Sequence, residues 1–121
     1  MGRKKPASRH DWKTKPPSLM ESFPYHRTFS AEQREKLDWG VVPLEMEDKW
    51  FAFVEDDILY WYRSWTASLI YEVRLESRGE EWVTSTASVC SDPALYERGF
   101  DQYEAEMLDR LIDHLLAGLL P

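Results

Sequence analysis

The stretch that decides the fold is "DKWFAFVEDDILYWYRSWTASLIYEV", Asp48 to Val73. Its apolar residues recur with a period of two rather than 3.6, the pattern of strands with one face in a core. "KWFAFVE" predicts a strand, "EDD" (Glu55 to Asp57) a tight turn, "ILYWYRSW" a second strand and "SLIYEVRLE" a third. Downstream, "SRGE" with Gly79 turns the chain into "EWVTSTASV", and short turns between consecutive strands imply an antiparallel meander. Upstream, "VVPLEM" reads as a first short strand, with Pro43 placing it at an edge or an entry.

Helical signals flank these strands. "FSAEQREKLDWG" carries Ser30 as N-cap, Gln33 in the capping-box position, Phe29 as the preceding staple residue and Gly40 as a stop. Leu37 is its main apolar residue, and two turns of helix need a surface to dock on. In "QYEAEMLDRLIDHLLAGLL", Leu108, Leu111, Ile112, Leu115 and Leu119 form a stripe wide enough to cover a sheet face. Asp101 is the expected N-cap of this helix, with Glu104 at the box position and Gly118 near its end. The predicted class is α+β: an antiparallel β-meander of 3–5 strands, a short N-terminal helix, and a longer C-terminal helix packed on one face.

A length of 121 residues supports one domain, and six Trp, six Tyr and five Phe offer ample area for its core. The net charge of −7 conceals an asymmetry: residues 1–27 hold seven Lys/Arg against two Asp/Glu, the remainder eight against twenty. Residues 1–22, rich in proline and cations and poor in apolar periodicity, read as a disordered or loosely attached basic tail, and 23–121 as the domain. The acidic body repels phosphate backbones, which argues against non-specific nucleic-acid binding. A single cysteine, Cys90, excludes an intramolecular disulfide, and no His or second Cys lies near it to build a metal site. No run approaches the ~20 apolar residues of a membrane span, and the charged start lacks the apolar region of a secretory signal. The expected compartment is therefore the cytoplasm, and no cofactor or metal is expected.

Function turns on the second strand. Leu59, Trp61, Arg63 and Trp65 share one face; Ile58, Tyr60, Tyr62 and Ser64 share the other. Both are rich in rings, and one long helix covers only one of them. The other face exposes its aromatics unless the first helix or the tail lies over it, and an uncovered aromatic patch marks a ligand or partner surface. Leu69, Tyr71, Val73 and Leu75 read as a buried face of the next strand, with Ile70 out of step among polar alternates. The turn "WTAS" admits more than one register, so the facing of Arg63 stays open. Facing the core, its guanidinium needs a carboxylate or an anionic ligand. A structural reading pairs it with a strand acid such as Glu72, or stacks it on Trp61 or Trp65.

The same stretch resembles a motif of small bacterial proteins with the form D-K-W-F…(E/D)-(D/N)…L-Y-(F/W)-(H)-R-S-W-T-(G)…I-Y-x-(V). The matching residues run from Asp48, Lys49, Trp50 and Phe51, through Glu55 and Asp56, to Leu59, Tyr60, Trp61, Arg63, Ser64, Trp65, Thr66, Ile70 and Tyr71. Tyr62 stands where that pattern has His, and Ala67 where it has Gly, so the obvious proton-transfer group is missing. The resemblance extends to an association with ADP-ribosylglycohydrolase-like proteins. It implies a second reading of function, as an enzyme or accessory domain acting on an ADP-ribose-type or other phosphorylated small molecule. In that reading Arg63 holds phosphate, Ser64 and Thr66 orient it, and one of Glu45, Glu47, Asp48 or Glu72 acts as base.

The chain has no Gly-rich phosphate loop, no H-E-x-x-H, no nucleophile elbow and no paired-Cys motif. Ser64 has no evident base to activate it, so no catalytic residue is assigned. The acids at 45–48 and 55–57 lack the spacing of a calcium loop. The first expectation is a non-enzymatic binding or protein-interaction module. Its ligand- or partner-binding residues are Tyr60, Trp61, Arg63, Ser64, Trp65 and Thr66, and Trp, Tyr and Arg are the types that dominate binding hot spots. The partner is expected to be a protein, a second copy of the chain, or a nucleotide-like small molecule.

Overall fold

A computed structural model describes residues 3–45 and 47–121. Its centre is a six-stranded antiparallel sheet with two helices on one face, the α+β class expected from the sequence. In chain order the elements are β1 (Met20–Phe29), α1 (Ala31–Trp39), β2 (Trp50–Glu55), β3 (Ile58–Arg63), β4 (Leu69–Arg74), β5 (Glu76–Arg78), β6 (Glu81–Cys90) and α2 (Asp101–Leu116). The strands lie in the order β1-β6-β4-β3-β2, with β5 paired to β6 beyond the end of β4.

The local signals explain the joints. Asp56 and Asp57 take φ of 53° and 61°, so the β2–β3 hairpin closes on a two-residue turn whose twist suits the strands it joins. Helix α1 begins with the expected capping box: the Ser30 hydroxyl accepts from the Gln33 amide and the Gln33 side chain accepts from the Ser30 amide. It ends at Gly40, whose φ of 65° admits no ordinary side chain.

Several expectations need correction. Asp101 is the first helical residue of α2, not its N-cap; Phe100 occupies that position, and Glu104 reaches back to the Gly99 amide at 2.7 Å. Leu108, Leu111, Ile112 and Leu115 are buried as the stripe requires, but Leu119 lies past the helix end and is 70% exposed. Among its described residues "VVPLEM" forms no strand. Val41 and Ala52 exchange both backbone hydrogen bonds at 2.9 Å as an isolated bridge, and the pairing stops short of Pro43, which has no N–H. The Asp48 carboxylate then collects the Leu44 and Glu45 amides into a turn. Met46, the last residue of that stretch, falls outside the described residues, as do residues 1 and 2 of the basic tail.

Strand β1 was not expected, and it begins inside the stretch read as a tail. Phe23, Tyr25 and Phe29 alternate toward the helices and are buried, and the strand pairs along β6 from Met20↔Cys90 to Phe29↔Trp82. The residues before it follow the opposite face of the sheet. The Ala7 amide donates to the Trp39 carbonyl, the Arg9 guanidinium lies over Phe53 and Tyr60 while forking onto Glu55, and the Trp12 indole donates to the Ser64 carbonyl. The core is therefore in two parts. The larger lies between sheet and helices and includes Leu59, Trp61 and Tyr71; the smaller joins Ala7, Phe51, Phe53, Tyr62 and Leu69 beneath residues 7–12.

The register of β4 resolves the misfit at Ile70. Trp61 pairs with Tyr71 and Tyr62 with Leu69, leaving Ile70 as the extra residue of a bulge. Leu69 is thereby turned onto the face of Tyr62, while Ile70 and Tyr71 both enter the helix-side core.

Candidate functional site

The end of the β3–β4 hairpin is held from several sides. The Ser64 hydroxyl donates to the Asp48 carbonyl at 2.6 Å and the Ser64 amide to the Lys49 carbonyl at 2.9 Å. The Arg63 amide donates to the Ser68 carbonyl, and the Ala67 amide to the Arg63 carbonyl. From the N-terminal segment, the Trp12 indole and the Lys15 amide donate to the carbonyls of Ser64 and Ala67. Ala67 sits at φ 63°, the left-handed conformation that favours glycine.

This frame fixes Arg63. Paired with Trp50 across β2, it points to the helix side, and its guanidinium lies 5.5 Å from the Trp50 ring centroid and 5.7 Å from that of Tyr96. Both rings are themselves anchored. Trp50 meets Trp61 edge-on at 5.9 Å and Tyr71 at 6.4 Å. The Tyr96 hydroxyl donates to Glu104 at 2.8 Å, and the Tyr71 hydroxyl donates to the same carboxylate oxygen at 2.6 Å. Glu104 is fully buried and carries three hydrogen bonds from neutral donors, the third being the Gly99 amide. Burial pushes the Tyr96 phenol up to about 12 and raises Tyr71 as well, so both remain protonated donors at neutral pH.

Arginines over aromatic rings recur in this protein, and one differs from the others. Arg3, Arg9, Arg27, Arg34 and Arg63 all lie over rings. Arg3 also bonds to the Trp39 and Gly40 carbonyls, Arg9 to Glu55, Arg27 to Asp109 and Asp113, and Arg34 to Asp38 and Asp57. Arg63 alone of the five has no hydrogen-bonded or ion-paired acceptor for its side chain among the described residues. It lines a shallow cavity of about 280 Å³ with Lys49, Glu47 and Trp65, whose indole is 60% exposed.

Of the six residues singled out from the sequence, the structure brings Arg63 and Trp65 to this cavity. Trp61 is fully buried in the core, its indole N–H without an acceptor among the described residues. Ser64 is buried with its hydroxyl spent on Asp48, and Thr66 is half-buried, accepting weakly from the Ser68 amide at 3.4 Å. Tyr60 lies on the other face beneath Arg9. Glu47, one of the four acids named beside Arg63, lines this cavity, whereas Lys49 was not singled out for it; the signal for Lys49 is its place beside Trp50, the residue that pairs with Arg63. Among the described residues no three His, Cys, Asp or Glu side chains are grouped to hold a metal ion, and no helix is long and apolar enough to cross a membrane.

Comparison with protein-family models, curated proteins and solved structures gives no match for the chain.

Proposed function

We propose that the protein is a non-enzymatic binding module that recognises a nucleotide-like ligand, an anion joined to a planar ring, at the Arg63–Lys49–Trp65 cavity. The observation that carries this reading is the unclaimed guanidinium of Arg63. Two anchored rings hold it in place, so little conformational freedom is lost when an anion forks onto it. Lys49 adds a second cation, and the exposed indole of Trp65 offers a stacking surface. A cavity of about 280 Å³ lies at the small end for ligand sites, which suits one phosphate or one base and leaves the rest of the ligand in solvent.

The test is a thermal-shift titration with ADP, ATP and ADP-ribose on the wild type, Arg63→Gln and Trp65→Ala. A ligand at one hundred times its Kd stabilises by about 2.7 kcal/mol, worth on the order of 10 °C in Tm for a chain this size. The expected result is a shift in the wild type that is lost in Arg63→Gln and reduced in Trp65→Ala. Absence of any ligand-dependent shift in the wild type refutes the nucleotide reading.

A further inference from the structure

Where the end of α1 meets the end of α2, a groove of about 610 Å³ is floored by Val42, Leu115 and Leu116, with Trp39 and Leu44 on its rim. Trp39 is 42% and Leu44 77% exposed, large apolar surfaces left in water at a concave site. Arg3 and Lys36 line the same groove. Beyond Arg3 and Val42, which both chambers share, lies a second cavity of about 350 Å³ lined by Lys4, Lys5 and Asp11. The single acid there is already engaged, accepting from the Ser8 amide at 2.8 Å.

Arg3 is built into the wall between the two chambers. Its guanidinium donates to the Trp39 and Gly40 carbonyls and lies over the Trp39 ring, so its charge is fixed in place without a carboxylate in direct ion pair, Asp11 being the acid of the adjoining chamber. Lys4, Lys5 and Lys36 form no ion pair among the described residues. On a chain of net charge −7, the two adjoining chambers are lined by four cations and one acid, Asp11.

We propose that the two chambers together bind a single-chain anionic amphiphile as a free monomer, with the alkyl chain in the groove and a phosphate or carboxylate head beside Arg3, Lys4 and Lys5. The charge complementarity selects this occupant. A neutral hydrocarbon leaves the cations without a partner, and a small hydrophilic anion leaves Trp39 and Leu44 in water. The site shares no lining residue with the Arg63 cavity and stands independently of the function proposed there.

Isothermal titration of the full chain with dodecyl phosphate, below its micelle concentration, tests this directly. Inorganic phosphate, dodecanol and anionic lipid vesicles serve as comparison titrants. Saturable binding of dodecyl phosphate is expected, at least tenfold tighter than phosphate or dodecanol. Both the double variant Lys4→Glu/Lys5→Glu and the single variant Leu44→Glu alter exposed side chains and should keep the wild-type circular dichroism while weakening binding at least tenfold. The proposal is overturned if dodecyl phosphate does not bind, if dodecanol binds as well, if neither variant weakens binding, or if only vesicles bind.

Discussion

Gly40→Ala is the sharpest test of how the N-terminal segment is held. Gly40 has φ 65° and ψ −159°, a region open essentially to glycine alone, which costs another residue about 1–3 kcal/mol. An added Cβ would also overlap the Ala52 carbonyl oxygen, the acceptor of the Val41 bridge, and come within 2.9 Å of the Ala7 Cβ. Relieving that overlap costs about 1–3 kcal/mol more. The narrower unfolded ensemble of alanine offsets about 0.4–1 kcal/mol, leaving a net loss of about 3 kcal/mol. With a urea m-value of about 1.5 kcal/mol/M, the unfolding midpoint should fall by about 2 M. Gly79→Ala supplies the control: its φ is also 65°, but nothing lies within 4 Å of the new methyl, so only the conformational cost of about 1 kcal/mol applies. Because Gly40 abuts Ala7, the first variant should also be cut faster by trypsin after Lys13, whose bond to Thr14 is cleavable. Equal midpoints for the two variants would refute the argument, since they would mean the Gly40 site is not closed by Ala7 and Ala52.

Three further outcomes are expected. Glu104→Leu leaves the Tyr71 and Tyr96 hydroxyls and the Gly99 amide without their acceptor and should cost about 3 kcal/mol in urea unfolding, whereas Tyr71→Phe should cost about 1 kcal/mol. Stability should be level from neutral pH to about 10 and decline as pH rises toward 12. The unfolded chain releases tyrosine protons near the ordinary value of 10.0, while folded Tyr96 holds its proton to about 12. Urea midpoints from pH 9 to 11.5 test the decline, and 295 nm absorbance should show part of the tyrosine ionising only on unfolding. Arg9→Ala removes the fork to Glu55 and the cover over Phe53 and Tyr60; both partners are partly exposed, so the loss should be about 1 kcal/mol, with faster hydrogen exchange at Ala7, Asp11 and Lys15.

Strands β2, β3, β4 and β6 were legible because each is a short run rich in aromatic and β-branched residues with a turn signal at its ends. β1 carries the same alternation in Phe23, Tyr25 and Phe29, but Pro24 interrupts it, and only its position at the sheet edge makes a proline tolerable. The facing of Leu69 and Ile70 depends on a bulge, a property of strand pairing that no single strand records. At the candidate site, Arg63 and Trp65 stood out by residue type alone. That Trp61 and Ser64 would be sealed, and that Glu104 would be a buried acceptor for two tyrosines, depends on contacts across 33 or more residues of chain in the case of Glu104 and Tyr71. The N-terminal residues looked like solvated tail because their anchors are backbone groups and ring faces, which leave no periodicity in the sequence.

The place of β1 has a consequence for how the chain is made. It leaves the ribosome before the other strands, yet its strand partner among the described residues is β6, which ends at Cys90. At about 5–20 residues per second, β1 waits about 3–12 s for that partner. Through that interval Phe23, Tyr25 and Phe29 stand on a ribbon whose amides have no ladder to join, while the β2–β3 and β3–β4 hairpins close locally within microseconds. The nascent chain is thus most open to chaperones, and to pairing with a neighbouring copy, at its N-terminal strand.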